Sequence, residues 1–191
     1  MDVSWLQQHG AADPAAPSRW RRLTSVLDAG VDLKRRLVEQ LRPSLLDNMG
    51  LMVALQWQFQ ESCGHAGLGC VQDLPETEPE LSSDAAIAIF RIAQEATTNV
   101  LKHAQAKSVY MGVRLADGEF LLTIRDDGRG LPPEPLRRSH GLTGMRHRAE
   151  ALGGTLRASR RSGGSGTEIE VRLPLNRILK EGAGAPRYSP A

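Results

Sequence analysis

The sequence carries no dominant charge. Its 24 Lys and Arg stand against 22 Asp and Glu, for a net charge of +2. A dedicated nucleic-acid binder would show a basic block or stripe, so that class is excluded as the expected partner. No apolar run approaches the ~20 residues that cross a bilayer, and the first residues lack the basic-then-apolar pattern of a secretory signal. The expectation is a soluble, cytoplasmic chain without membrane contact. There are two cysteines, Cys63 and Cys70, in no CxxC pattern and with no zinc-ligand cluster around them. They are expected to be reduced thiols rather than one local disulfide. No GxxxxGK[ST] motif occurs, which excludes a P-loop nucleotide site.

What is present is a core-forming middle between polar ends. Apolar residues make up 40% of the chain, slightly below the globular norm because the ends dilute them. Residues 1–18 are rich in Ala, Pro and Asp and are expected to be a flexible leader. Residues 176–191 are expected to be a flexible tail. From Arg19 to about Gln60, Leu23, Val26, Leu27, Leu33, Leu37, Leu41 and Leu45 recur at helical steps. Pro43 should kink or restart that helix. Its apolar stripe needs a cover, and a second chain is favoured over its own domain. The segment 19–62 is therefore expected to be dimerisation-like, with a domain from 63 to 175.

Residues 61–81 look like a linker with one strand, Leu68–Val71, and a polar PETEP loop. Ser82 and Ser83 are N-cap candidates for a helix to about Ala104, with Asp84 at its positive end. Alternating runs Ser108–Leu115 and Glu119–Arg125 flank Asp117-Gly118, a hairpin signal. A helix over Leu142–Leu152 closes at Gly153-Gly154. Strands 155–160 and 167–173 surround the RSGGSG turn. This order predicts an α+β fold: a two-layer α/β sandwich, with a mixed, mostly antiparallel sheet, helices on one face and a long helix in front.

On an ideal helix Glu95, Asn99 and His103 lie at i, i+4 and i+8, along one edge beside Lys102. A carboxylate, an amide oxygen and nearby cations can hold Mg²⁺ and phosphate oxygens together. A polar helix face is usually only solvated, so the neighbouring motifs decide. Asp126-Asp127-Gly128-Arg129-Gly130 ends an apolar strand. Its glycines permit close approach to backbone, and a fixed carboxylate there can accept a hydrogen bond from an exocyclic amine. His140-Gly141-Leu142-Thr143-Gly144-Met145 runs into a helix and would present N–H groups and a positive dipole end to phosphate. Between the two loops, Pro132, Pro133, Pro135, Arg137 and Arg138 form a stretch short enough to act as a lid.

In that order the motifs resemble a known superfamily. IFRIAQEATTNVLKHAQA resembles the N-box of the ATPases shared by gyrase, heat-shock chaperones, mismatch-repair proteins and histidine kinases. DDGRG resembles the first glycine box, GLTGM the second, and GSGTEIEVRLPL the closing strands. HGLTGMRHRAEALGG and LKHAQAKSV narrow the resemblance to sensor histidine kinases of the nitrate-sensing and membrane-fluidity-sensing type. DLKRRLVEQLRPSLLDNMGLMVAL resembles the second helix of their dimerisation and phosphotransfer domain. The likeness covers roughly residues 31–175.

The resemblance implies ATP and Mg²⁺ as cofactors. It places Asn99 on the metal, with Glu95 positioning metal or water or serving as a base, and Lys102 and His103 near phosphate. Asp126 would read the adenine amine in a pocket shaped by Gly128 and Gly130, with Thr167 nearby. Gly141, Leu142, Gly144 and Met145 would border the phosphates. The implied activity is γ-phosphoryl transfer to a histidine and onward to a response regulator, with homodimerisation. In that family the accepting histidine precedes an acidic residue on a first helix, whereas none of the five histidines here precedes Asp or Glu. The chain is thus expected to be a fragment, a kinase acting on a histidine elsewhere, or a nucleotide-binding regulator acting through its helix. An anti-sigma-type serine kinase shares the ATP fold.

Overall fold

A computed structural model describes residues 46, 48–131, 140–161, 164–180 and 182. The expected leader, the helical segment through residue 45, the Pro132–Arg138 lid and residues 183–191 lie outside the described residues. The elements in chain order are α1 (Leu51–Ala66), β1 (Gly69–Asp73), α2 (Ser83–Asn99), a π-helical turn (Val100–Ala104), β2 (Ser108–Ala116), β3 (Glu119–Asp126), α3 (His140–Ala151), β4 (Thr155–Arg160), β5 (Thr167–Pro174) and α4 (Leu175–Ile178).

Five strands form one sheet in the order β1-β2-β3-β5-β4. Only the β1–β2 pair is parallel. Period-two alternation sends Val109, Met111, Val113 and Leu115 of β2, and Phe120, Leu122 and Ile124 of β3, into the core with the helices, while Arg114, Arg125 and Arg172 remain exposed on the other face. The expected two-layer α+β sandwich is what forms. The β2–β3 turn has φ of 54° at Asp117 and 77° at Gly118. Those paired positive values match the twist of an antiparallel hairpin, which explains the Asp-Gly signal. Ser82 caps α2, its Oγ accepting from Ala85 N at 3.3 Å. Among the described residues, no helix is long and apolar enough to cross a membrane.

Four expectations change. The long N-terminal helix was expected to run to about Gln60; the stripe Leu23–Leu45, for which a second-chain cover is expected, lies outside the described residues. Gly50, with φ 83°, instead starts a separate helix that continues to Ala66. Leu51, Leu55 and Phe59 on its inner face are fully buried in the same core as the sheet. Each such burial is worth about 2–3 kcal/mol, so α1 packs on its own domain and the core extends across the expected boundary at 62/63. At the other end, the tail expected from 176 is ordered through Lys180. Ile178 is fully buried, Leu179 bridges Leu81, and Lys180 N donates to Glu80 O at 2.8 Å. Cys63 and Cys70 are not separate thiols but one disulfide, with Cα atoms 6.3 Å apart, because the last turn of α1 lies over β1. Finally, α3 begins at His140, so Gly141 and Gly144 sit within its first turns rather than in a preceding loop.

The PETEP loop supplies a long-range cap. No side chain next to α1 caps its N-terminus. Glu78 does so from 27 residues away, its Oε1 accepting from Leu51 N at 2.6 Å and its Oε2 from Met52 N at 2.9 Å. The carboxylate also faces the positive end of the helix dipole. Replacing Glu78 by Ala is expected to lower stability by about 1–2 kcal/mol, read as a reduced urea midpoint with an unchanged slope. An unchanged midpoint would show that the cap contributes nothing.

Candidate functional site

Two of the residues singled out by spacing, Glu95 and Asn99, lie on the regular part of α2 and are both half-buried. The start of α3 packs directly on them. A Cβ on Gly141 would overlap Glu95 Oε1 and lie 3.5 Å from Asn99 Nδ2. Glycine lets the α3 backbone approach this polar helix edge with the Glu95 carboxylate in place. The first turn of α3 therefore lies against a carboxylate and an amide.

After Asn99 the helix widens into the π-turn, ending at Gln105 with φ 53°. A widened turn changes the angular step between residues. The regular spacing that placed His103 in line with Glu95 and Asn99 therefore does not continue through this segment. Lys102 and His103 are exposed, and Leu101 is 37% exposed. The turn delivers the Ala104 carbonyl onto the first glycine loop, where Arg129 N donates to it at 2.9 Å. A Cβ on Gly128 would overlap that same carbonyl. The α2–π edge is thus flanked by both glycine segments, Gly141 near Asn99 and Gly128 near Ala104.

Asp126, at the end of β3, is 3% exposed, and its Oδ1 accepts from Gly128 N at 2.8 Å. Gly166 lies so close that a Cβ on it would overlap Asp126 O, and a Cβ on Gly130 would come within 3.0 Å of Gly166 O. Thr167, the next residue, is thereby drawn to the same loop. Leu142 and Met145 enter the core, Met145 completely, so their side chains fill the space under α3 rather than bordering the polar edge. A Cβ on Gly144 would meet only Arg148 Nη1, at 3.2 Å.

Three further groups shape the loop without a local sequence signal. Asp127 Oδ1 accepts from Lys107 N at 2.8 Å and Ser108 N at 2.9 Å, and its Oδ2 accepts from Ser108 Oγ at 2.8 Å. Ser165 Oγ donates to Asp127 O at 3.2 Å, and Arg160 Nη2 donates to Leu131 O at 2.9 Å. The Ser108 backbone N–H above all holds the Asp127 carboxyl below its ordinary value, against a smaller opposing effect of burial. A carboxyl lowered in the folded state stabilises the fold fully above its unfolded value, about pH 4, and loses that contribution as pH falls through the folded value. Urea midpoints measured from pH 7 to pH 3 should therefore fall at the acid end, and less steeply for Asp127→Asn. Identical acid profiles would remove Asp127 from this role.

Among the described residues, no group of three His, Cys, Asp or Glu could hold a metal by itself. Glu95 and Asn99 offer one carboxylate and one amide oxygen, a donor set of the kind that can hold Mg²⁺ beside substrate phosphates.

Comparison with known proteins bears on this geometry. A family model described as histidine kinase-, DNA gyrase B-, and HSP90-like ATPase matches residues 84–177. Over 171 residues the chain is 38% identical to the signal transduction histidine-protein kinase/phosphatase UhpB of Salmonella typhimurium, covering 88% of this chain and 34% of that protein. Over 173 residues it is 35% identical to the nitrate/nitrite sensor protein NarX of Escherichia coli, covering 90% of this chain and 29% of that protein. The chain thus spans well under half the length of either relative. Among solved structures, the histidine kinase domain of the blue-light activated kinase from Erythrobacter litoralis superposes with a TM-score of 0.63 at 23% identity, covering 89% of each chain. The Acinetobacter baumannii histidine kinase AdeS gives 0.59 at 22% identity, covering 81% of this chain and 84% of that one. At those identities the structural likeness is one of fold.

Proposed function

We propose that residues 84–177, which match the model of the histidine kinase-, DNA gyrase B-, and HSP90-like ATPases, are the ATP-binding catalytic domain of a sensor histidine kinase, as the similarity to two such proteins supports, and that the chain transfers the γ-phosphoryl group of Mg·ATP to a histidine carried elsewhere, on its parent protein or on another chain. The observation that carries the reading is the packing of Gly141 against Glu95 and Asn99. It brings an amide, a carboxylate and the first turn of α3 together.

In this reading Asn99 would hold Mg²⁺, its amide lying beside Gly141, and the ion would supply charge neutralisation on the phosphates. Glu95 would help position the ion or water, or accept a proton from the attacking group. Gly141 and Gly144 let the α3 backbone approach phosphate, with Lys102 and His103 adding charge from the exposed π-turn. Asp126 accepts from the adenine amine, and Thr167, Gly128 and Gly130 shape that end. Such a site works by positioning and charge stabilisation rather than covalent chemistry. The relatives include a nitrate/nitrite sensor, which supports a sensor of that type, a response regulator as the next acceptor and a homodimeric parent.

The test is incubation of the chain with γ-labelled ATP and histidine-bearing helices from candidate dimerisation domains. Acid-labile, base-stable label on the helix is expected. Acid-stable label on serine would assign the chain to serine kinases, and ATP binding without transfer to any helix would make it a regulatory module.

A further inference from the structure

The disulfide lies a few bonds from the site. Cys63 is at the buried end of α1, 2% exposed, and Cys70 is part-exposed on β1. β1 is an edge strand whose only ladder is to β2, with Gly69 paired to Ser108 and Cys70 to Val109. Gly69 N donates to Lys107 O at 3.0 Å, and Leu68 N donates to Cys63 O at 3.2 Å. The peptide held from one side by β1 is the one that holds Asp127 from the other, through the N–H groups of Lys107 and Ser108. Asp127 adjoins Asp126, whose Oδ1 fixes Gly128 N. A continuous line therefore runs from the disulfide through Gly69 and Lys107-Ser108 to the first glycine loop.

We propose that Cys63–Cys70 is a reversible redox switch that sets the affinity of the nucleotide site through Lys107, Ser108 and Asp127. The inference rests on the nucleotide reading of that site and adds its regulation. In the oxidised form the edge strand is tied covalently to α1 and holds its ladder to β2. In the reduced form the covalent tie is gone and hydrogen bonds remain, the ladder to β2 and the Gln72 contacts to α1, where Nε2 donates to Gln56 O at 3.1 Å and Oε1 accepts from Gln60 Nε2 at 3.5 Å; short edge elements with few bonds open locally most readily. The Lys107-Ser108 peptide then loses its brace and the glycine loop loosens.

The chemistry balances with a dithiol as reductant. Its thiolate attacks the Sγ of Cys70, the less buried residue of the pair. The Sγ–Sγ bond breaks, and Cys63 leaves as a thiolate that takes up a proton. The reductant's second thiol resolves the mixed disulfide, releasing Cys70 as a thiol. The protein gains two electrons and two protons, and the dithiol becomes its cyclic disulfide.

The experiment compares the full chain, air-oxidised and after treatment with dithiothreitol, by amide hydrogen exchange and by Mg·ATP titration. Reduction is expected to speed exchange at Gly69, Lys107 and Ser108 by about tenfold or more and to weaken ATP binding about fivefold, with both reversed on reoxidation. Cys70→Ser, whose side chain is only part-buried, should stay in the weak state under both conditions. Unchanged exchange on reduction, faster exchange with unchanged affinity, or a Cys70→Ser variant that still responds would each overturn the switch. Tight oxidised binding with no redox response removes the switch and leaves the nucleotide site standing. An oxidised chain that binds no ATP removes both.

Discussion

Asn99→Ala is expected to weaken Mg·ATP binding by more than about a hundredfold while leaving the fold intact, because in the proposed site it removes the amide oxygen that would bind the metal. Asn99 is half-buried at the end of α2's regular part, outside the hydrophobic core, so its truncation should change stability by about 0.5 kcal/mol or less. The distinguishing measurement is a nucleotide titration with and without Mg²⁺. The wild-type chain should lose affinity when Mg²⁺ is chelated, and the variant should bind equally weakly in both conditions. A variant that retains the Mg²⁺ dependence places the metal elsewhere and takes the proposed chemistry of the α2 edge with it. Circular dichroism on the same samples separates loss of the ligand from loss of the helix.

The second large effect is structural in origin. Gly128→Ala puts a methyl group into the Ala104 carbonyl, which already accepts from Arg129 N at 2.9 Å. Neither partner is a flexible side-chain tip, so backbone must move. A cost of about 2–4 kcal/mol is expected, equivalent to a fall in Tm of roughly 10 °C, with nucleotide binding lost alongside it. Gly144→Ala is the matched control, since its methyl group would meet only the end of Arg148. Within a helix that exchange should be neutral or stabilising by up to about 1 kcal/mol. If both variants melt with the wild-type chain, the π-turn does not constrain the glycine loop and the two motifs are independent. If Gly144→Ala keeps its Tm but binds ATP weakly, the approach of phosphate to α3 is tested free of folding effects.

The parts of the fold legible in the sequence are those whose cause is local. The hairpin follows from two residues that tolerate positive φ, Asp117 and Gly118. The start of α2 follows from the Ser82 hydroxyl and the end of α3 from Gly153 and Gly154, while the strands follow from simple alternation. The Glu95–Asn99 pair was legible because both lie on regular α-helix. Lys102 and His103 were placed less well, because the shift to i→i+5 bonding at Val100 has no compositional mark and changes the spacing beyond it. Tertiary causes left no trace in the sequence. Glu78 caps a helix 27 residues before it, Asp127 ties down a peptide 19 and 20 residues away, and the disulfide depends on how α1 crosses β1. Met145 shows the opposite error: a residue inside a recognised motif whose position on the helix turns it into the core.

The parallel pairing of β1 with β2 has a consequence for synthesis. As the chain leaves the ribosome, α1 and β1 emerge first, but β2 appears only after roughly forty more residues, a delay of a few seconds at typical elongation rates. During that interval Leu51, Leu55 and Phe59 have no sheet to cover them, and the nascent chain presents an amphipathic helix open to chaperones. Strands β3 and β5 come later still, so the sheet face that covers α1 is completed only near the end of synthesis.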